Sequence, residues 1–283
     1  MEKCTEIKEI AFGIVTTLRC NLHCTDCGFG CYNNNTWDCD PYVTFETIKK
    51  LVKIRNTNML NIAVSINLLG GEPFVSSAFW TLVDLIAKED YLGDHIGIIT
   101  NGLLLPKLPL DKIEMLIKSR MRLYVSVYPL EYNYTKLFNY MKSVGLLVTN
   151  VVSDVQKDLN VTTGRQEYFY RHGYNDKPKD IKEDWDNIKE CRSMIDGLVC
   201  TSVMNTKIYY CSNMIEVLNN QAFNKYKHIK LKEPTDYISI SKVNSIKDFI
   251  PYLKGCYSLC HYCGNGYLTP WTSPIKVKQI WQF

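Results

Sequence analysis

The chain has 283 residues, of which 46% are hydrophobic, and it carries a net charge of +4 and 12 cysteines. That length buries a sizeable core and holds one large domain or a domain with an appendage. A pI near 8.3 falls short of the basic signature of a nucleic-acid binder, so nucleic acid is excluded as the expected partner.

The opening stretch MEKCTEIKEIAFGIVTTLRC lacks the basic and apolar regions of an export signal, and no run approaches 18 apolar residues. The expected setting is cytoplasmic, with no membrane partner. Thiols stay reduced there, so cysteine clusters point to metal or catalytic chemistry rather than to bridges.

From residue 10 onward two periods alternate. IAFGIVTT (10–17), NIAVSINLL (61–69), HIGIIT (95–100), RLYVSVY (122–128) and LLVTNVV (146–152) read as strands. They are nearly all apolar, as expected of parallel strands covered on both faces. Helical spacing lies between them. Residues 44–54 form a first helix. Phe79, Leu82, Val83 and Ile86 mark a second, Leu110, Ile113, Leu116 and Ile117 a third, and Leu137, Tyr140, Met141 and Val144 a fourth. Gly145 stands where the fourth should stop. The alternation predicts βαβ units around a parallel sheet, either doubly wound or as a β/α barrel. After 152 the pattern breaks into a polar stretch, 153–190, and a cysteine-bearing remainder.

Ligands of β/α folds bind where strands end, and polar or glycine-rich features gather at those ends. Cys20, Cys24, Cys27 and Cys31 follow the first strand and Gly70-Gly71-Glu72-Pro73 the second. Thr100-Asn101-Gly102 closes the third. Ser126 and Tyr128-Pro129 lie at the end of the fourth, and Asn150 on the fifth. Three thiols at the spacing Cys20-x3-Cys24-x2-Cys27 suit a [4Fe–4S] cube with one iron left free of protein. A zinc site completed by Cys31 or Cys39 is the alternative. Cys4, Cys31 and Cys39 otherwise read as small core or surface residues, and His23 as a solvated loop residue.

The triplet, the Gly-Gly-Glu-Pro that follows the next strand and the β/α alternation resemble the radical SAM superfamily over roughly residues 10–155. The resemblance implies a partial (β/α)6 TIM-like barrel. It implies that Cys20, Cys24 and Cys27 hold a [4Fe–4S] cluster whose free iron chelates S-adenosylmethionine (SAM). Electron transfer into the sulfonium then gives a 5′-deoxyadenosyl radical, which abstracts a substrate hydrogen. It implies an external reductant such as flavodoxin or ferredoxin. Gly70 and Gly71 would let backbone approach the methionine portion, and Glu72 would accept from its ammonium. Thr100, Asn101 and Ser126 would touch ribose or adenine. Asp26 departs from the aromatic residue that many members carry before the third cysteine.

A second cysteine group follows. VCTSVMNTKIYYC (199–211) reads as a hairpin turning at Asn205-Thr206, with Cys200 and Cys211 opposite each other. With Cys191 before it and Cys260 and Cys263 after it, the arrangement resembles the SPASM or Twitch extensions of radical SAM enzymes. Thr206 stands where their pattern has glycine. The resemblance implies an auxiliary [4Fe–4S] cluster ligated from Cys191, Cys200, Cys211, Cys260 and Cys263, with Cys256 outside it; a zinc knuckle of Cys200, Cys211, Cys260 and Cys263 is the alternative.

The expected organisation is a radical SAM core over 1–160, extending at most to about 185, and an auxiliary-cluster module with a β-hairpin over 186–283. The two tail tryptophans should pack this module on the barrel. The expected activity is oxidation or epimerisation of a small molecule such as a sugar or nucleotide-sugar. The short stretch before the first strand leaves no room for a peptide-recognition domain, which places a peptide substrate second. A zinc protein that binds nucleic acid is the reading from another class.

Overall fold

The computed structural model describes residues 7–24, 27–33, 35–128, 130, 132–146, 168–171, 197–223, 225–248, 250–253, 257–263 and 267–270. The expected fifth strand (146–152), Asn150, Asp26, Cys4, Cys191, Cys256 and the tail tryptophans lie outside these residues, apart from Leu146.

The first half is built as the apolar periods demand. Strands β1 (Glu9–Thr17), β2 (Ala63–Gly70), β3 (Ile96–Thr100) and β4 (Arg122–Val125) alternate with helices α1 (Pro41–Asn56), α2 (Ser77–Ala87) and α3 (Leu110–Ser119). Helix α4 (Tyr134–Ser143) follows β4. Each neighbouring pair of β1 to β4 is parallel, with Phe12 opposite Ile66, Ile66 opposite Ile96, and Ile98 opposite Leu123. The spatial order 4-3-2-1 runs in one direction. Over these four strands the order is consistent with the wall of a partial TIM-like barrel. The fold is α/β with a parallel-dominated sheet, open among the described residues.

Local sequence explains the helix limits. Asp40 caps α1 by accepting from the Tyr42 and Val43 amides at 2.9 and 3.1 Å, and Pro41 occupies the first turn. The Asp-Pro signal therefore starts α1 three residues before the expected 44. Ser76 caps α2 through the Phe79 amide. Helix α4 ends in a Schellman motif: Gly145, at φ +81°, donates to Lys142 and Leu146 donates to Met141.

Phe79, Leu82, Val83 and Ile86 are fully buried, each contributing about 1.5–3 kcal/mol. Helix α3 narrows the expectation. Ile113 and Leu116 are core, but Leu110 and Ile117 face outward, 71% and 38% exposed. They lie at the edges of the apolar arc, where α2 covers only its centre.

The second half returns to the same sheet. Strand β6 (Leu198–Met204) lies parallel to β1 on the side away from β2, with Ile10 opposite Val199. The expected hairpin is present: β7 (Lys207–Tyr209) pairs antiparallel with β6 and turns at Asn205-Thr206, both at positive φ. Strand β8 (Tyr237–Ser239) extends it, giving the order β4-β3-β2-β1-β6-β7-β8. Helices α5 (Met214–Gln221) and α6 (Ile250–Leu253) lie in this half. Strands β5 (Tyr168–Arg171) and β9 (Tyr267–Pro270) form a separate antiparallel pair, which apolar period alone did not predict. No helix among the described residues is long and apolar enough to cross a membrane.

Candidate functional site

Four strand exits meet at one rim. Thr17 lies opposite Gly70 in the β1–β2 register. From there the chain after β2 folds back on the chain after β1. The Gly71 amide donates to Thr17 O and the Glu72 amide to Arg19 O, both at 2.8 Å. A Cβ on Gly70 would lie 2.2 Å from Thr17 O, and one on Gly71 would lie 1.8 Å from Arg19 O. These glycines therefore admit the backbone that leads directly into Cys20. The close approach the motif requires is made to the cysteine loop.

Glu72 is 1% exposed. Its carboxylate accepts from the Thr100 hydroxyl at 2.7 Å, the Asn101 amide at 2.8 Å and the Phe74 amide at 3.3 Å. Burial nevertheless outweighs these three donors and pushes its pKa up to about 7. Asn101 continues the chain: its Nδ2 donates to Asn21 Oδ1 at 2.7 Å, beside Cys20. Glu72, Thr100, Asn101 and Asn21 thus form one polar line from the exits of β2 and β3 to the cysteine loop. Ser126 joins the rim by donating its amide to Thr100 O at 2.8 Å. The buried Nδ2 of Asn21 has no partner, a deficit of about 1–3 kcal/mol if it stays unmet.

Cys20, Cys24 and Cys27 all sit on this loop against Leu22, Leu103 and Tyr128. Each is a free thiol. Burial raises the Cys20 pKa; the Leu22 amide, 3.4 Å from its sulfur, opposes this, while Glu72, Cys27 and Cys24 add to the rise. Cys27 is the reverse case. The Cys31 thiol donates to it, and the backbone amides of Cys31, Phe29 and Gly30 also face its sulfur. Together they favour the thiolate over burial and lower its pKa to about 7. Cys31 is correspondingly raised by that same hydrogen bond. It is 2% exposed, a core thiol whose partner is Cys27.

Among the described residues no three His, Cys, Asp or Glu side chains group closely enough to share one metal ion, so the test of fit for a cluster is the donor set. Three thiols on one loop, with backbone donors on two of the sulfurs, match what an iron–sulfur cluster needs, because hydrogen bonds to the sulfurs are part of how proteins hold and tune such clusters. The unpartnered Asn21 amide beside Cys20 is a further donor facing no protein acceptor. The residues present fit the group.

Tyr128, placed at the end of the fourth strand by the sequence, was given no role there. Burial raises its pKa strongly, and the negative charge of Cys24, Cys20, Cys27 and Glu72 adds to the rise. The phenol is thus buried among the cysteines and Glu72. Its only signal was its place two residues beyond Ser126.

The later cysteines are arranged differently. Cys200 and Cys211 each lie two residues beyond the Ser202–Tyr209 pair that ends the β6–β7 register. Asp236, fully buried, accepts from the Ser258 amide at 2.6 Å and the Lys232 amide at 2.7 Å, and its carbonyl takes the Tyr210 amide at 3.1 Å. The Tyr210 and Tyr257 rings lie 5.7 Å apart. The turn bearing Cys260 and Cys263 is therefore docked beside the residue that precedes Cys211.

One family model matches part of the chain. Residues 14–144 match the family model of the Radical SAM superfamily. No curated protein matches the chain. Among solved structures, anSMEcpe with bound AdoMet and Cp18Cys peptide is 19% identical over 54% of this chain, with a TM-score of 0.35. The match spans only 46% of the anSMEcpe chain. BtrN in complex with AdoMet and 2-DOIA is 13% identical over 93% of this chain and 94% of its own, with a TM-score of 0.47. SuiB of Streptococcus suis bound to its precursor peptide SuiA is 14% identical over 89% of this chain and 72% of its own, with a TM-score of 0.34.

Proposed function

We propose that the protein is a radical SAM enzyme in which Cys20, Cys24 and Cys27 hold a [4Fe–4S] cluster. The observation that carries this reading is the meeting of those three thiols with Glu72, Thr100 and Asn101 at one rim of a parallel sheet. When bound, the cluster supplies the electron that cleaves SAM reductively. The chain's own residues do the rest. Cys27 is held toward the thiolate by the Cys31 thiol and by backbone donors. Asn21 offers a free amide beside Cys20. The Glu72 oxygen Oε2 accepts from the Asn101 amide and has a second lone pair to offer the SAM ammonium. Ser126 stands beside Thr100 for the ribose. Leu22, Leu103 and Tyr128 wall the loop and exclude water.

The test is anaerobic reconstitution. The protein should turn brown, bind iron and sulfide, and form 5′-deoxyadenosine from SAM under dithionite. The Cys20→Ala, Cys24→Ala, Cys27→Ala triple variant should form none. A colourless zinc protein, or undiminished 5′-deoxyadenosine from the triple variant, would overturn the reading.

Residues 186–283 we read as a module holding an auxiliary [4Fe–4S] cluster, with ligands drawn from Cys191, Cys200, Cys211, Cys260 and Cys263. The docking of the Cys260–Cys263 turn beside Cys211 through Asp236 supports it. Four thiolates would close that cluster against SAM. A substrate radical that hands it one electron and loses a proton ends as an oxidised product. This favours dehydrogenation of a small molecule, a sugar or nucleotide-sugar, over epimerisation, with a peptide as the rival substrate. Turnover in deuterated water separates the two outcomes. Oxidation yields a product two hydrogens poorer, whereas epimerisation yields an isomer that carries solvent deuterium at the inverted carbon.

A further inference from the structure

Helix α5 begins three residues after Cys211, yet its last turn reaches the first cysteine loop. Asn219 is 2% exposed. Its Nδ2 donates to Phe29 O at 2.8 Å and to Gly30 O at 2.9 Å, and its Oδ1 accepts from Asn35 Nδ2 at 2.5 Å. The two carbonyls belong to consecutive peptide planes. The first plane ends in the Gly30 N–H, which donates to Cys27 O at 2.9 Å, and the second in the Cys31 N–H, because a peptide is flat and its C=O and N–H point opposite ways. Fixing both oxygens therefore fixes the directions of both N–H groups. Gly30 makes the geometry attainable: its φ is +66°, and a Cβ there would lie 3.2 Å from Asn219 Nδ2 and 3.1 Å from Asn220 Nδ2. On the far side of these planes lies the Cys27 sulfur, which faces the amides of Cys31, Phe29 and Gly30.

We propose that Asn219 is a positioning residue for the cluster: by gripping Phe29 O and Gly30 O it holds the Gly30 amide on the Cys27 carbonyl, aims the Cys31 amide at the Cys27 sulfur and so sets how readily the cluster takes an electron. The proposal rests on the reading of Cys27 as a cluster ligand. Its physical basis is electrostatic. Reduction adds negative charge, and hydrogen bonds to the ligating sulfurs stabilise that charge and raise the potential. An asparagine suits the position because it is neutral and one amide donates to two carbonyls while accepting from a third residue. The link also joins the two halves of the chain, since a shift of the segment after Cys211 would turn α5 and reach the first cluster through these two planes.

Asn220 supplies the control. It is equally buried on the same helix turn, but its partners are Tyr32, Asn33 and Glu216 O, not the carbonyls of residues 29 and 30. A merely structural role would make the two asparagines behave alike.

The experiment is an EPR-monitored redox titration of the reconstituted full chain as wild type, Asn219→Ala, Asn35→Ala and Asn220→Ala, with iron and sulfide measured on each. Asn219→Ala should keep the iron of the wild type but show a three- to tenfold lower reduced-to-oxidised ratio at fixed potential. The tenfold end corresponds to a midpoint about 59 mV more negative for one electron. Asn35→Ala, which frees the Asn219 amide to rotate and also takes away the acceptor of the Trp37 amide, should move the same way by less, and it carries the test if Asn219→Ala does not fold. Asn220→Ala should leave the midpoint in place. Unchanged midpoints in Asn219→Ala and Asn35→Ala at full iron, or an equal shift in Asn220→Ala, would overturn the proposal while leaving the cluster assignment standing. A wild type without iron would remove both.

Discussion

The first cysteine loop and the cysteines after residue 197 each place four free thiols among the described residues, but they are assembled in opposite ways. Cys20, Cys24, Cys27 and Cys31 come from one short segment whose sulfurs meet by local turns and are braced from β2 and β3. Cys200, Cys211, Cys260 and Cys263 come from a strand, the end of a hairpin and a distant turn, and Asp236 ties the chain before Cys211 to the chain before Cys260. The first arrangement depends on backbone clearance and donors to sulfur. The second depends on tertiary docking, so a change far from any thiol can undo it.

That difference sets the largest expected effect. Gly71→Ala puts a Cβ 1.8 Å from Arg19 O, a backbone atom that can yield only by displacing the stem of the cysteine loop. A loss of about 3 kcal/mol or more is expected, together with most of the SAM-binding cluster. Urea melts and iron content check it. A variant of wild-type stability and iron content would mean that the loop stem is not pinned there, and the contrast between the two regions would lose its basis.

The next effect is on the second region. Cys260→Ala with Cys263→Ala should lower iron from about eight to about four per chain, on the assumption of two [4Fe–4S] clusters, while 5′-deoxyadenosine formation under dithionite persists. Loss of both together would show that the regions are not separable.

What could be read in advance follows the same division. The four strands of the first half, their helices, the Cys20–Cys27 spacing and the rim position of Glu72 were legible because each depends on residues within a few turns of one another. The buried α2 face is the plainest case, since Phe79, Leu82, Val83 and Ile86 show a 3.6 period with no competing choice. The clamp of Asn219 on Phe29 and Gly30 was not legible: its partners lie about 190 residues apart, and nothing marks those residues as neighbours until β6 has paired with β1. The same pairing makes the hairpin part of the main sheet. Leu110 and Ile117 were misplaced because a helical stripe shows which face is apolar but not how wide its cover is.

A third effect distinguishes two roles of Glu72. Burial raises its pKa from 4.5 to about 7. In that interval the folded protein holds a proton that the unfolded chain has released. The associated stability is fully present below pH 4.5 and is lost as pH rises through 7, on the order of 3 kcal/mol in all. Cys20 and Tyr128 are both pushed upward by burial and stay neutral in this window, and Cys27, whose pKa is lowered to about 7, titrates in the wild type and the Glu72 variant alike. Urea melts between pH 5 and 8 should fall for the wild type relative to Glu72→Gln. The same variant should bind SAM roughly ten- to a hundredfold more weakly, since a hydrogen bond to an ionised acceptor contributes about 1.5–3 kcal/mol. A flattened pH profile with unchanged SAM affinity would make Glu72 a brace between β2 and β3 and remove it from the SAM site.

The smallest effect concerns the turn that opens the second region. Thr206, exposed at φ +62°, follows Asn205 at φ +49° in the β6–β7 hairpin. Two-residue hairpin turns of this kind favour Asn-Gly, and a β-branched residue in the left-handed region is strained by about 1–2 kcal/mol. Glycine removes that strain and gives back about 0.5–1 kcal/mol in chain entropy. The Ile240 amide donates to the Thr206 carbonyl at 2.8 Å, a backbone bond that the substitution keeps. Thr206→Gly should therefore stabilise the protein by about 0.5–1 kcal/mol in urea melts, with the iron content of both regions unchanged. If it instead lowers iron by half, the threonine is fixing the approach of Cys200 to Cys211. The second region would then depend on local turn geometry as the first does.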